Sequence, residues 1–153
     1  TREHMADTSK LKKVVEPWFR NEYLPRKYPG CVIVQEKLPL IWGGDFEYDA
    51  VVYDGDDIVA VYLLSCSEYI TRSGNGGAGK FQKIKADLLM LLGTKAPHKA
   101  MAFLGSTMFE HYLKQQNAGR LPQDIEPLLI EMPREINRIV LEIQSSASKE
   151  VAP

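Results

Sequence analysis

The sequence contains little cysteine, which excludes a small secreted domain held together by disulfides. Its 153 residues include two cysteines, Cys31 and Cys66, too few to form a disulfide framework. Each lies in an apolar run, where a small buried thiol is the ordinary interpretation. This use of cysteine favours a reducing, cytoplasmic setting.

Long apolar runs are also missing. No stretch approaches the roughly 20 apolar residues that a membrane-spanning helix needs, and the amino-terminal residues lack the apolar core of a signal peptide. Residues 1–5 resemble a vector remnant, so a single domain is predicted over residues 6–153. We therefore expect a soluble protein without a membrane partner.

An excess of charge of either sign is absent. The chain has 19 Lys plus Arg against 20 Asp plus Glu, a formal net charge of -1. The net charge gives no overall basic field of the kind that nucleic-acid-binding proteins often have. DNA or RNA would therefore have to bind at a local patch of basic residues. His98 and His111 have no acid or cysteine at metal-ligand spacing, and no Gly-X-Ser-X-Gly frame indicates acyl transfer.

Apolar periodicity predicts the order helix, three strands, helix, strand, helix, strand, helix. In the first helix Pro17 predicts a kink or a start one turn later, and Pro25 together with the Pro29-Gly30 pair predicts the end. Residues 54–57 form a turn between two apolar strands, which predicts a β-hairpin, and Ser106 is predicted to cap the helix that it begins. The predicted helices are 9–24, 80–92, 106–116 and 133–146, and the predicted strands are 31–34, 46–53, 58–64, 99–104 and 127–131.

This order of elements predicts an α/β fold. The hairpin strands are antiparallel neighbours, whereas the later strand–helix–strand units require parallel neighbours. A central mixed β-sheet of about five strands, flanked by helices on both sides, satisfies both requirements.

The segment with the most chemical information surrounds Asp49. Residues 43–52 read Gly-Gly-Asp-Phe-Glu-Tyr-Asp-Ala-Val-Val, and residues 58–65 on the next strand read Ile-Val-Ala-Val-Tyr-Leu-Leu-Ser. This hairpin resembles that of the PD-(D/E)XK, or restriction-endonuclease-like, nuclease superfamily. The resemblance implies that Asp49 is the first metal-binding acid, and that an active member uses Mg²⁺. Such a cation prefers oxygen ligands and activates water, while a nearby ammonium stabilises the attacked phosphate.

The second strand departs from the family pattern. The acid-X-Lys triplet of the family falls on Tyr62, Leu63 and Leu64, or one residue later, and neither register contains an acid or a lysine. A single carboxylate binds Mg²⁺ weakly and leaves nothing to orient the nucleophile. The resemblance therefore implies a degenerate active site on a nuclease fold.

Other charged residues are candidates to replace the missing pair. Glu47 shares a strand face with Asp49, either as a second ligand or as the polar side of a half-exposed strand. Lys80, Lys83 and Asp87 share one helical face, which either points at the hairpin or forms a solvated surface. The candidate catalytic set is Asp49, Glu47 and Lys83, with Asp49 as the metal ligand.

The first predicted helix offers two further acids. Glu16 and Glu22 occupy the region where the superfamily often keeps an additional carboxylate. A glutamate on the surface of a helix is also common without any functional role, so both interpretations stay open.

A glycine-rich stretch leads into the helix that carries Lys80. Residues 74–80 match the spacing of a phosphate-binding loop, but Phe81 stands where that motif requires Ser or Thr to hold Mg²⁺. Nucleotide hydrolysis is therefore not favoured. Arg72, Lys80 and Lys83 can still donate to a phosphate backbone, which predicts a local nucleic-acid-binding patch.

The sequence thus predicts a non-catalytic nucleic-acid-binding domain, or a subunit of a DNA restriction or repair system. One alternative is an active Mg²⁺-dependent DNA endonuclease with relocated catalytic residues. A second alternative is a protein-interaction or inhibitor module that reuses the scaffold. A homodimer or a partner subunit is compatible with all three.

Overall fold

The computed structural model describes residues 2–70 and 77–151 of the chain. The helical segments are α1 (Arg2–Trp18), a π-helical turn (Phe19–Tyr23), α2 (Leu24–Lys27), α3 (Ala78–Leu92), α4 (Ser106–Asn117) and α5 (Arg134–Val151). The strands are β1 (Val32–Pro39), β2 (Asp45–Asp54), β3 (Asp57–Ser65), β4 (Lys99–Phe103) and β5 (Ile125–Leu129).

The strands form one mixed sheet in the order β1-β2-β3-β4-β5. Strands β1, β2 and β3 are antiparallel neighbours, whereas β4 is parallel to β3, and β5 is parallel to β4. The side chains of α3 and α4 pack on one face, and those of α1, α2 and α5 pack on the other. The predicted α/β fold and helix-flanked mixed sheet are confirmed.

The first helical segment differs from the prediction. After Pro17 the helix widens into the π-helical turn, in which the Leu24 N–H donates to the Phe19 carbonyl five residues back. Proline has no N–H to give to the residue four positions earlier, so Pro17 favours such an irregularity. Pro25 does not end the helical segment, because proline is tolerated in the first turn of α2, but the segment ends at Lys27, before the Pro29-Gly30 pair that was also predicted to end it.

The hairpin turn and the amino-terminal end of α4 follow different local rules. The predicted hairpin turn is confirmed, since Asp54 pairs with Asp57 and Gly55 has a φ of 63°. The predicted Ser106 cap is wrong. Gly105 occupies the cap position without a side-chain bond, and the Glu68 carboxylate instead accepts from the Thr107 N–H at 3.4 Å.

Membrane insertion through a helix finds no support in the described ranges. None of their helices combines the length and the apolar composition that a bilayer crossing needs.

Candidate functional site

Strands β2 and β3 separate at the end opposite the hairpin turn, and Asp49 lies where they part. The two strands are paired from the turn as far as Ala50 and Tyr62. Beyond that point β2 stays paired with β1, and β3 stays paired with β4. Backbone groups that face the resulting gap need partners other than the neighbouring strand.

A β-bulge at the same place directs Asp49 toward α1. Over two residues of β1, the paired residue on β2 changes by three, from Val51 to Tyr48. The extra residue falls at Asp49 and Ala50, so Tyr48 packs on the α3 side while Ala50 packs on the α1 side. Bulges commonly redirect a side chain in this way next to functional sites.

Asp49 fills the gap with two hydrogen bonds. Its Oδ2 accepts from the backbone N–H of Leu64 on β3 at 2.8 Å. Its own carbonyl accepts from the guanidinium of Arg20 at 3.0 Å. Asp49 therefore joins the diverging strands to the first helical segment, and it also places a negative charge at their junction.

One face of the first helical segment presents charged side chains to Asp49. Lys12, Glu16 and Arg20 are spaced four residues apart, which places them on one helical face. Arg20 Nη1 lies 3.9 Å from Glu16 Oε2, and these side chains are only 16% and 15% exposed. The guanidinium thus contacts both Glu16 and the backbone of β2.

The carboxyl groups of Glu16 and Asp49 lie within hydrogen-bonding reach of each other. Burial and the negative charge of Asp49 raise the pKa of Glu16, while Lys12 and Arg20 partly oppose this effect. When Glu16 is protonated, it can donate a hydrogen bond to Asp49. The pair therefore holds a proton more tightly than a solvated glutamate does.

Helix α3 lies across the gap on the opposite face of the sheet. The Tyr48 hydroxyl donates to the Met90 carbonyl of α3 at 2.6 Å, which fixes the helix over the start of β2. Burial raises the pKa of Asp87 on α3, Lys83 and Lys12 lower it in part, and Asp49 raises it further. Charges from α1, β2 and α3 therefore act on one another through the gap.

Six charged side chains of α1, the π-helical turn, β2 and α3 surround the gap, and we call them the charged cluster. Burial lowers the pKa of Lys12, but the surrounding carboxylates outweigh burial and raise it above its ordinary value. The acids are half-buried, whereas the Lys83 side chain is exposed, so the outermost charge is positive. The members are Lys12, Glu16, Arg20, Asp49, Lys83 and Asp87.

Cys66 borders the charged cluster without being reactive. Burial raises the pKa of this thiol to about 12, and Lys12 and Lys83 lower it only in part. The thiol is therefore protonated at neutral pH and is a poor nucleophile. The predicted buried thiol is confirmed at Cys66, while Cys31 is half-buried.

The predicted site residues are brought together in part. Asp49 and Lys83 belong to the charged cluster together with Asp87, the predicted alternative ligand. Glu47 is exposed on β2, in register with Lys37 of the edge strand β1. It is not among the charges that act on the cluster residues described above.

The predicted nucleic-acid-binding residues lie at the start of α3. Lys80 is half-buried in the first turn, and Lys83 is exposed one turn later. Lys85, also exposed, lies over the Phe81 ring at 5.3 Å from its centroid. Arg72, the third predicted residue, lies outside the described residues.

The residues at which the resemblance would place the acid-X-Lys triplet belong to the core. Tyr62, Leu63 and Leu64 are 0%, 3% and 1% exposed. Tyr62 and Leu64 pack toward α1, and Leu63 packs toward α3. The Tyr62 hydroxyl lies 2.6 Å from that of Tyr28. These side chains stabilise the fold and present no charged group to the gap.

The acids of the charged cluster do not meet the needs of a Mg²⁺ site. In the ranges described, no three His, Cys, Asp or Glu side chains are placed to hold one metal ion. Asp49 already accepts from the Leu64 N–H, and Glu16 is engaged with Asp49. As arranged, these residues do not form a complete set of oxygen ligands for Mg²⁺.

Sequence reasoning did not identify Lys12 and Arg20. The alternation of charge at positions 12, 16 and 20 was a usable signal, because such spacing lines up one helical face. It could not show that this face meets Asp49, since periodicity says nothing about which partner a charged face contacts. Glu22, considered equally with Glu16, is exposed on the π-helical turn.

Comparison of the chain with protein-family models, with curated proteins and with solved structures finds no match.

Proposed function

We propose that this chain is a degenerate PD-(D/E)XK nuclease-fold domain that binds nucleic acid without cleaving it, as a component of a DNA restriction or repair system. The observation that supports binding is the charge arrangement at the β2–β3 gap. Lys83 stands exposed at the surface of the charged cluster, while its carboxylates lie half-buried behind it. A phosphate that approaches this face meets an ammonium first.

The start of α3 extends this cationic surface. Lys80 and Lys83 lie one turn apart on the same face of α3, and Lys83 is exposed. The exposed Lys85 lies on the other side of the helix, over the Phe81 ring. The amino-terminal end of α3 also carries no acid in its first turn, so the helix dipole and the lysines favour an anion together. This is a local patch on a chain of nearly neutral net charge.

The order of elements supports the nuclease-fold part of the proposal. A helix, an antiparallel hairpin with Asp49 in its first strand, a following helix and a parallel strand are the arrangement that the resemblance implies. The absence of cleavage is supported by the second hairpin strand, where Tyr62 and Leu64 fill the core. Fold-level resemblance alone does not establish activity.

Binding is tested by charge reversal on α3. We expect the double variant Lys80→Glu, Lys83→Glu to lower the affinity for a labelled DNA duplex by about tenfold at low salt, because two phosphate contacts become repulsive. Fluorescence anisotropy at several salt concentrations measures both the affinity and its salt dependence. The slope of log affinity against log salt is expected to become shallower by about 2.

A matched control separates a specific patch from general charge effects. Lys37→Glu with Lys114→Glu reverses two exposed lysines, on β1 and α4, and is expected to change affinity by less than twofold. Equal losses in both variants would contradict the assignment to α3. If the native chain is not retained on DNA at low salt, the nucleic-acid proposal is wrong and a protein partner becomes the better candidate.

Cleavage is a second candidate function, favoured by the proximity of Glu16, Asp49 and Asp87 in one cluster. An endonuclease would need these acids to move onto one ion. We expect no DNA cleavage above background when the native chain is incubated with Mg²⁺ or Mn²⁺. Cleavage that disappears in folded Asp49→Ala and Glu16→Gln variants would establish the nuclease instead, and circular dichroism confirms that each variant is folded.

A further inference from the structure

A second site lies on the other side of the first helical segment. A groove of about 580 Å³ opens beside the π-helical turn, between α2 and the segment that follows β5. Its walls include Trp18, Tyr23, Arg26, Lys27 and Glu131. The volume lies within the range of small-molecule binding sites. None of its lining residues belongs to the charged cluster.

The π-helical turn builds one wall of this groove. Because the turn closes its hydrogen bond over five residues, Trp18, Tyr23 and Lys27 follow one another at spacings of five and four along the same wall. The Trp18 and Tyr23 ring centroids are 5.6 Å apart. The buried Phe19 ring stacks behind Tyr23 at 5.5 Å, which holds the aromatic surface in place.

The polar groups around these rings differ in charge. Arg26 and Lys27 are exposed at the end of α2, and Glu22 and Glu131 are exposed around the same groove. A ligand that matches the groove has a flat face for the rings, an anion for the two cations, and N–H donors for a carboxylate. A nucleotide has all three: a base, a phosphate and an exocyclic amino group.

We propose that this groove binds a single free nucleotide. The base packs against the half-buried ring of Tyr23, beside the edge of Trp18, which is 6% exposed, and the phosphate contacts Arg26 and Lys27. A quaternary ammonium would suit the rings and the glutamates, but it would be repelled by the two exposed cations. The inference does not depend on the charged cluster, so it remains valid if DNA binding through α3 fails.

The test uses the full chain and the fluorescence of Trp18. The chain has two tryptophans, and Trp42→Phe leaves Trp18 as the only one. We expect AMP, whose adenine carries an exocyclic amino group, to change this fluorescence in a saturable way. Adenosine and inorganic phosphate are each expected to bind at least tenfold more weakly, because each lacks one part of the ligand.

Variants connect the signal to the groove. In the Trp42→Phe background, Arg26→Ala with Lys27→Ala is expected to raise the Kd for AMP at least tenfold, and Tyr23→Leu is expected to do the same by removing the stacking surface. Lys37→Ala, an exposed lysine on β1, is the matched control and should leave the Kd unchanged.

Three outcomes would overturn the proposal. They are a native chain that gives no saturable change with AMP at millimolar concentration, unchanged AMP binding in the folded Arg26→Ala, Lys27→Ala variant, and a response to choline but not to AMP. Failure of the α3 charge-reversal experiment with normal AMP binding would reject only the DNA proposal. The reverse pattern would reject only the nucleotide groove.

Discussion

Replacing Tyr62 with alanine is expected to lower the free energy of unfolding by about 3 to 5 kcal/mol, the usual cost of deleting a large buried aromatic side chain. Tyr62 is completely buried between the sheet and the first helical segment. Its ring meets Phe19 edge-on at 5.7 Å and His98 at 6.1 Å. Chemical denaturation followed by circular dichroism measures the loss.

The conservative variant separates ring packing from the hydroxyl pair. Tyr62→Phe keeps the ring but leaves the Tyr28 hydroxyl without this partner, so we expect a loss of about 1 kcal/mol. A loss below about 1 kcal/mol for Tyr62→Ala would show that this part of β3 is not core, and it would reopen the second hairpin strand as a catalytic surface.

Replacing Glu16 with glutamine is expected to raise the free energy of unfolding at neutral pH relative to the native chain. Burial and Asp49 raise the pKa of Glu16 above its ordinary value of 4.5 in the folded state. As the pH rises through 4.5, the unfolded chain loses this proton first, so stability falls until the folded group also ionises. Glutamine removes this penalty and can still donate a hydrogen bond to Asp49.

The measurement is the difference in unfolding free energy between Glu16→Gln and the native chain at several pH values. The difference should be close to zero near pH 4, grow as the pH rises, and level off once folded Glu16 is ionised. Glu110→Gln, at an exposed position on α4, is the control and is expected to show no comparable rise. A Glu16→Gln variant that is less stable at pH 7 would contradict the carboxyl pair.

Much of the fold follows from local sequence patterns. The apolar run that became β3 and the turn at Gly55 determine a hairpin, because alternation and turn residues act over a few neighbouring positions. The π-helical turn after Pro17 could not be predicted from such local patterns. A missing N–H allows a kink, an end or a π-helical turn, and the tertiary packing of Phe19 and Trp18 selects among them.

The site was less predictable than the fold. Asp49 could be identified from its position in the hairpin, but its contact with Glu16 depends on a bulge and on the face that α1 turns to the sheet. Glu47 lies only two residues before Asp49 on the same strand. Its side chain is nevertheless exposed and is not part of the charged cluster. Strand alternation assumes regular pairing, and the bulge interrupts it at the position where the site is built.

The filled core at the end of β3 also limits how this chain could change over evolutionary time. A glutamate at the position of Tyr62 or Leu64 would have to be buried among core side chains, at a cost of several kcal/mol. That cost is comparable with the whole stability of an ordinary domain, about 5 to 15 kcal/mol. A single substitution that places an acid at either position is therefore costly, and further charged groups near the gap would have to come from the flanking helices.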